Sequence, residues 1–207
     1  MRLALEHKGL QAESVPVAYF ETEKITHRNN SKLPLLIDDG CGFLGTWDIV
    51  THLDAEYPDR PALMRNAEAR ALGRLVASWG DHVLFPDLLR VVLPDFLERL
   101  HVNDREWFRQ SRELLLGATV EQLRENRTAY LSDLCRSLAP LRSALSVQWF
   151  LGGDAPGYAD YTAYTMLVWG GFASREPVLE EDDPLQVWMA RIEDRFDGLP
   201  RRLPAAA

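Results

Sequence analysis

The residues best placed to bind a ligand lie at the starts of two predicted elements. Pro34 opens an apolar run. If its peptide bond is cis, the backbone of Leu33 turns outward and can pair with a peptide-like ligand, whereas a trans proline would only open an edge strand. Thr46 stands where a helix is predicted to begin. Its hydroxyl can bind a carboxylate beside the positive end of the helix dipole, cap its own helix, or do both.

A second group of residues is aromatic. Trp79, His82 and Phe85 lie at positions i, i+3 and i+6 of a predicted helix. We expect them to line an apolar pocket for an aromatic substrate, with His82 as a candidate general base. The alternatives are core packing for the two aromatic residues and an ordinary surface or core position for the histidine.

Asp160 is a carboxylate on an otherwise apolar predicted helix. A buried carboxylate with a shifted pKa invites a catalytic role. Its position in the first helical turn favours a structural role instead, because there it can accept backbone N–H groups at the helix start. Gly157 stands three residues earlier, where a capping hydroxyl is usual. Only half of a capping box is therefore predicted.

The predicted helices and strands that position these residues fall into two units, which meet near residue 60. Before that point short strand-like runs alternate with short helices, and after it the pattern is almost wholly helical. We predict an α+β unit over residues 1–60 followed by an all-α unit over residues 64–200.

The first unit is predicted to place a hairpin between two helices. The opening helix should end at Gly9, which suits a left-handed C-terminal position. A short strand is expected at 14–17, and apolar runs at 35–37 and 43–44 flank the turn formers DDGCG. Thr46 is then predicted to cap the second helix.

The second unit is predicted to contain several helices with marked ends. Pro86 and Pro94 should kink or break the first long helix. Thr119 is a candidate cap where the chain restarts after a break. Residues 158–172 form a strongly apolar helix that should lie deep in the unit. Asp183, followed by proline, should cap the start of the last helix.

Composition excludes several classes of protein. The chain has 207 residues with 23 basic and 31 acidic side chains, a formal charge of −8. This balance argues against binding of nucleic acid or of an anionic membrane surface. Cys41 and Cys135 form no disulfide framework or zinc motif, and no apolar run of about 18 residues is present to span a membrane. We expect a cytoplasmic protein without metal, nucleic-acid or membrane partners.

Several motifs resemble those of the glutathione transferase superfamily. The matching runs are LPLLIDDG at 33–40, LGTWDI at 44–49, LDAEYP at 53–58, and FLGGDAP followed by ADY at 150–161. Within the superfamily, WFLGGD at 149–154, ADY at 159–161, EDDPL at 181–185 and FDGL at 196–199 look most like the bacterial β-aryl etherase group. The resemblance implies a thioredoxin-like N-terminal domain followed by an all-helical C-terminal domain, with glutathione as co-substrate and a homodimeric assembly.

The resemblance also implies a set of ligand contacts. The glutathione-binding positions that it carries over are Lys32, Leu33, Pro34, Gly45 and Thr46. In the resembled family the proline is cis, and the residue before the hydroxyl is acidic and binds the ligand's ammonium, whereas here that residue is glycine.

The positive residues just before the resembled strand have two interpretations. Lys32, or His27 or Arg28, would bind the glycyl carboxylate of glutathione, or would be solvated loop charges. The resemblance further implies that the helix carrying Trp79 faces the glutathione cleft, which makes its aromatic group the candidate substrate pocket.

The resemblance assigns no catalytic residue. The family carries its thiol-activating Ser, Tyr or Cys between a first strand and the first helix, and this sequence opens within that helix. We expect either that the natural protein begins further upstream or that it lacks this first strand and the thiol-activating residue. The first hypothesis is a glutathione S-transferase or glutathione-dependent β-etherase, in which the glutathione thiolate attacks an aromatic or aryl ether electrophile. The alternative is a non-catalytic binding or scaffold protein of the same fold.

Overall fold

The computed structural model describes residues 1–17, 33–196 and 198. The helices of these residues are α1 (Arg2–His7), α2 (Gly45–Glu56), α3 (Ala67–Trp79), α4 (Phe85–Arg99), α5 (Val102–Leu116), α6 (Val120–Glu125), α7 (Arg127–Ser137), α8 (Ala139–Leu145), α9 (Tyr158–Ala173) and α10 (Pro184–Asp194). A π-helix, Gly80–Leu84, joins α3 to α4. The strands are β1 (Leu35–Asp38) and β2 (Cys41–Leu44). The described residues therefore form a small sheet with two helices, followed by helices alone.

The opening helix ends as predicted. Gly9 has a φ of 63°. Its N–H donates to the Glu6 carbonyl at 2.9 Å, and the Leu10 N–H donates to the Leu5 carbonyl at 2.9 Å. These two bonds close the helix, so that the chain folds back over its last turn.

The predicted hairpin is confirmed. β1 and β2 pair antiparallel, with Leu35 opposite Leu44 and Asp38 opposite Cys41. The two turn residues have positive φ values, 45° at Asp39 and 75° at Gly40. Positive φ at both positions is the signature of a type I′ turn, whose twist matches that of the strands it joins.

The strand predicted at residues 14–17 is wrong. These residues have no regular secondary structure, and no described strand pairs with them. Val15 is 72% exposed, and Pro16 has no N–H to donate to a ladder. A short apolar run becomes a strand only when another backbone edge satisfies its polar groups.

The second helix begins without the predicted cap. α2 starts at Gly45, with Leu44 as its N-cap residue and no side-chain capping bond. Thr46 lies inside the first turn, so the prediction that it caps this helix is wrong. Ile49, one of three buried apolar residues spaced along α2, packs in the core as the periodicity predicts.

A buried ion pair joins the end of the opening helix to α2, and its hydrogen bonds reach the segment after α2. Lys8 is 1% exposed, and its ammonium lies 2.9 Å from an oxygen of Asp54 and 3.2 Å from the Pro61 carbonyl. The Asp54 carboxylate also accepts from the N–H groups of Leu63 and Met64, each at 2.9 Å. Burying two charges is costly unless hydrogen bonds satisfy them. Here they do, and they fix the path of the chain where it enters the helical part.

The prolines of the first long helix act differently from each other. Just before Pro86 the helix widens into the π-helix, where the Phe85 N–H reaches back to the Gly80 carbonyl. Pro94 lies inside α4, which continues past it. Of the two predicted effects, a break does not occur at Pro94, because packing around a buried helix compensates for one missing N–H, while a kink there stays a prediction. A Cβ at Gly80 would lie 2.7 Å from the Met166 side chain, so α9 packs unusually close here.

The predicted helix caps in the second unit are confirmed. The Thr119 hydroxyl accepts from the Gln122 N–H at 3.3 Å, and the Gln122 side chain accepts from the Thr119 N–H at 2.9 Å. Asp183 accepts from the Leu185 N–H at 2.9 Å. Its carboxylate also pairs with Arg142 at 2.6 Å. The guanidinium and the N–H bond outweigh burial and lower the pKa of Asp183.

The core of the helical part lies where α4 and α9 pack against α3, α6 and α7. Its largest fully buried side chains include Trp188, Tyr164 and Leu88. Within the described ranges, no helix combines the length and the apolar character needed to cross a bilayer.

Asp160 is buried at the first turn of α9 and holds three segments together. Its carboxylate accepts from the Leu151 N–H at 2.8 Å, the Gly157 N–H at 3.1 Å and the Trp188 indole N–H at 3.1 Å. Burial raises the pKa of this carboxyl, while these donors oppose the shift. The structural role predicted for Asp160 is thus supported. The Trp188 indole of α10 gives the carboxylate a donor from a distant helix, in addition to the backbone N–H groups near the start of α9.

We predict that Asp160→Asn lowers the free energy of unfolding by about 1–3 kcal/mol, because an amide NH₂ cannot accept from all three buried donors. Urea unfolding followed by circular dichroism measures the change. The matched control is Asp154→Asn, at an exposed position nearby, which should stay within about 0.5 kcal/mol of the parent. Equal effects from the two substitutions would refute this role for Asp160.

Candidate functional site

One backbone hydrogen bond brings together the two segments that the sequence singled out. The Gly45 N–H donates to the Pro34 carbonyl at 2.8 Å. The Leu33–Pro34 peptide bond is cis, as the resemblance implies. Leu33 is 46% exposed. The start of β1 and the start of α2 therefore lie side by side and form one edge, which we call the ligand edge (residues 33–34 and 45–46).

Glycine at position 45 is explained by backbone conformation. Its φ is 78°, in the left-handed region. No atom lies within 4 Å of the position that a Cβ would take there. A side chain at this position would have room but would strain the backbone by roughly 1–2 kcal/mol.

Thr46 contributes its hydroxyl at the first turn of α2. The hydroxyl lies 3.1 Å from the hydroxyl of Tyr158, the first residue of α9. Thr46 is exposed. The N–H groups of the first helical turn have no intrahelical acceptor, and the helix dipole makes this end positive. The site thus offers donors for a carboxylate beside a contact with the helical part.

Positive charge accumulates next to this helix start. The guanidinium carbons of Arg70 and Arg74 lie 5.4 and 4.9 Å from the centre of the Trp47 ring. Trp47 also meets the Tyr158 ring edge-on at 5.7 Å. Cations stacked on an aromatic face add to the dipole of α2. Asp48 in the same turn carries one opposing charge, and the two guanidinium groups together with the helix dipole still favour an anionic group at this corner.

The predicted positive residues before the strand cannot be placed. Lys32, His27 and Arg28 lie outside the described residues. Their role with a glycyl carboxylate stays a prediction.

The aromatic residues proposed for a substrate pocket fall on both sides of the π-helix. Trp79 ends α3, and Phe85 begins α4 and packs against Trp169 at 5.4 Å. His82 is exposed within the π-helix, and its Nδ1–H donates to the Ser78 carbonyl at 2.8 Å. Among the described residues, no ring contact joins Trp79, His82 and Phe85. The pocket they were predicted to share stays a prediction, and the π-helix between them was not foreseen.

The far end of the hairpin is held against α2 by a second polar cluster. The Asp38 carboxylate accepts from the His52 Nε2–H at 2.7 Å and from the Tyr57 hydroxyl at 3.0 Å. The Phe43 ring stacks on His52 at 3.7 Å. The His52 bond lowers the pKa of Asp38, and the Asp38 bond raises the pKa of Tyr57. The cluster fixes β1 and β2 relative to the helix that carries Thr46.

Sequence reasoning missed four residues of this corner. Trp47 adjoins Thr46, and Arg70 and Arg74 share one face of α3 at i, i+4 spacing. These local features could have suggested a stacked cation pair. The contact between Thr46 and Tyr158 spans 112 positions, and nothing local in the sequence signals it.

Two family models match nearly the whole chain. The model described as glutathione S-transferase, N-terminal domain, matches residues 1–61, and that described as glutathione S-transferase, C-terminal domain, matches residues 71–194.

A curated relative matches part of the chain. The glutathione S-transferase-like protein ustS of Aspergillus flavus is 27% identical over 135 residues, which are 58% of this chain. The match spans about half of the relative, 48% of its length.

Solved structures of similar proteins share the fold. Glutathione transferase GSTFuA3 from Phanerochaete chrysosporium has a TM-score of 0.79 at 20% identity, covering 92% of this chain and 86% of that one. Glutathione S-transferase CsGST63524 of Ceriporiopsis subvermispora, in complex with glutathione, has a TM-score of 0.80 at 21% identity, covering 99% and 90%. The predicted fold class, a small thioredoxin-like domain followed by a helical domain, is confirmed. The exact bounds, 1–60 and 64–200, stay a prediction.

Proposed function

The chain belongs to the glutathione S-transferase family, and we propose that it binds glutathione along the ligand edge. The observation that carries the proposal is the 2.8 Å bond between the Gly45 N–H and the Pro34 carbonyl, which sets the two binding segments side by side. Glutathione is a tripeptide with a carboxylate at each end. It needs an exposed backbone for its middle and donors for its ends, and the ligand edge offers both.

The middle of the ligand is assigned to Leu33. Its backbone precedes the proline at the start of β1, and the residue is half-exposed. An extended peptide that reaches a strand end can pair with it through main-chain hydrogen bonds, in the manner of strand addition. In this proposal the cysteinyl N–H and carbonyl of glutathione pair with the Leu33 backbone, and the thiol is held at the edge of the domain.

The γ-glutamyl carboxylate is assigned to the start of α2. The Thr46 hydroxyl and the N–H groups of the first turn donate to it, and the dipole of α2 and the charges of Arg70 and Arg74 attract it. Gly45 supplies no carboxylate for the ligand's ammonium. We expect this to weaken binding about tenfold, since a charge-assisted bond contributes about 1.5–3 kcal/mol.

The proposed reaction is transfer of the glutathione thiolate to an electrophilic carbon. The thiol first loses its proton to solvent, a sulfur–carbon bond then forms, and the leaving group departs with the electron pair of the broken bond. An aryl ether substrate, as in the β-aryl etherase group, is the more specific proposal, with Trp79, His82 and Phe85 as its pocket. No described residue is assigned to thiol activation.

The assembly and location are proposed on the same family grounds. We propose a homodimer in the cytoplasm. The support is the resemblance to the family and, for the location, a composition that fits a reducing compartment.

We predict that the chain binds glutathione and that Thr46→Val weakens this binding about tenfold, because the substitution keeps the side-chain shape and removes the hydroxyl. Isothermal titration calorimetry measures both dissociation constants. Tyr158→Phe is the control, since it removes the partner of Thr46 but leaves its hydroxyl. If Tyr158→Phe weakens binding as much as Thr46→Val does, the hydroxyl acts on the protein and not on the ligand. Lack of heat with millimolar glutathione would disprove binding.

A second prediction tests the missing carboxylate. Gly45→Glu should bind glutathione about tenfold more tightly than Gly45→Gln, because the two variants share the same backbone strain and differ in charge alone. Competition with a fluorescent glutathione conjugate gives the two affinities. Equal affinities would mean that the ammonium is not bound at this position.

A non-catalytic function is the second candidate, and Gly45 is the observation that favours it. Without an acidic residue next to Thr46, we expect the site to bind glutathione more weakly than a site with the acidic residue that the resemblance implies. The two functions differ in thiol conjugation to 1-chloro-2,4-dinitrobenzene. An enzyme predicts conjugation above the uncatalysed rate, about tenfold slower in Thr46→Val at subsaturating glutathione, and this result would exclude a scaffold. A scaffold predicts binding without conjugation.

A further inference from the structure

The first turn of α9 contacts two earlier helices through tyrosine hydroxyls. Tyr158 and Tyr161 lie at positions i and i+3 and therefore share one face of α9. The Tyr158 hydroxyl meets Thr46 of α2. The Tyr161 hydroxyl lies 2.8 Å from Nδ1 of His7, the last residue of α1. One of the two contacts thus involves a side chain whose charge can change near neutral pH.

The surroundings of His7 determine which of its ring nitrogens carries the hydrogen. Nε2 lies 3.2 Å from the Ala62 carbonyl, and because a carbonyl can only accept, Nε2–H is the donor. In the neutral ring Nδ1 then has no hydrogen and accepts from the Tyr161 hydroxyl. The two rings meet edge-on, with their centroids 5.7 Å apart. The neutral histidine therefore satisfies both of its nitrogens and the tyrosine hydroxyl.

A second proton on His7 is incompatible with this arrangement. Nδ1–H would face the Tyr161 oxygen, and the hydroxyl hydrogen of the tyrosine would have to turn away from the ring. Tyr161 is 4% exposed. Within the part of the chain that the structure describes, His7 is the side chain that bonds this hydroxyl. Protonation of His7 would thus leave a buried hydroxyl hydrogen without an acceptor, which is unfavourable.

The charged groups around the two rings oppose the same proton. They are Lys8 of α1, Asp54 of α2, Arg65 after α2, Asp160 of α9 and Arg195 after α10. Both carboxylates are already engaged, Asp54 by the Lys8 ammonium and Asp160 by three N–H donors. The two guanidinium groups remain, so that a cation at His7 meets positive charge. Burial, together with the Arg65 charge, lowers the pKa of His7.

We propose that His7 and Tyr161 form a pH-sensitive contact between α1 and α9, which is closed while His7 is neutral and opens when His7 is protonated. Opening frees the end of α1 from the helical turn that also carries Tyr158. The proposal does not depend on glutathione binding.

The direction of the pH dependence follows from proton binding. Because the pKa of His7 is lowered in the folded chain, the unfolded chain binds more protons at pH values just below the ordinary histidine pKa of about 6.5. The contact therefore contributes its full stability above about pH 6.5, and this contribution is lost as the pH falls toward the lowered pKa.

Hydrogen–deuterium exchange of the full chain, measured by mass spectrometry, tests the proposal by comparison with His7→Gln. Glutamine keeps a donor and an acceptor but does not titrate. At about pH 5.5, α1 and the start of α9 should exchange about tenfold faster in the parent than in His7→Gln, and at about pH 8 the two should exchange alike. Comparison at equal pH cancels the intrinsic pH dependence of exchange. His82→Gln, at an exposed histidine, is the matched control and should behave like the parent.

Tyr161→Phe supplies a second variant, which keeps the ring and removes the hydroxyl. The neutral His7 ring then loses its donor, so its pKa, followed by NMR of the ring, should rise. If His7→Gln does not fold or is already open at about pH 8, the parent decides, because exchange at the start of α9 relative to α5 should rise with the titration of the His7 ring.

Three outcomes would overturn the proposal. One is equal exchange of the parent and a folded His7→Gln at about pH 5.5. Another is a neutral His7 ring with its hydrogen on Nδ1, which the ¹⁵N shifts of the ring report. The third is a titration of His7 that is the same in the parent and in Tyr161→Phe.

Discussion

The candidate site depends on the hydrogen bond from the Gly45 N–H to the Pro34 carbonyl. This bond closes the hairpin at the end opposite its turn, so that the start of β1 and the start of α2 become one surface. It requires the chain to leave β2 and enter a helix through a residue at a φ of 78°, which glycine adopts without strain. The same glycine that makes the geometry possible removes the acidic side chain that the family places there. Under the proposed function, an unstrained backbone at this residue comes with the loss of a carboxylate for the ligand's ammonium.

The rest of the structure fixes that surface from three directions. The Asp38 cluster with His52 and Tyr57 holds the far end of the hairpin on α2. The ion pair of Lys8 and Asp54 sets the path of the chain after α2. Contacts of the Tyr158 hydroxyl and ring bring the start of α9 against the ligand edge. The hairpin of the described residues is thus held on α2 by partly buried polar groups, and a helix more than 100 residues away in sequence lies against the ligand edge.

Local signals in the sequence predicted the elements whose causes are local. Gly9 ends its helix, the DDG turn makes a hairpin, and Thr119 and Asp183 cap helices, because each effect involves residues a few positions apart. The predictions that were wrong or incomplete concern residues whose contact partner is distant in sequence. The 14–17 segment has no described edge to pair with. The Thr46 hydroxyl meets Tyr158 instead of capping its helix, and the stacked arginines reach Trp47 through tertiary packing. The hairpin and the helix that carry the candidate site were therefore predictable from the sequence, whereas the distant contacts around Thr46 and Trp47 were not.

Binding of glutathione along the ligand edge can be followed by the amide chemical shifts of the ¹⁵N-labelled chain during a glutathione titration. We expect the largest shifts at Leu33, Gly45, Thr46 and Trp47, with small changes at helices remote from them such as α5 and α7. Shifts concentrated on the π-helix and α9, with the amides of residues 33 and 45–47 unmoved, would contradict it.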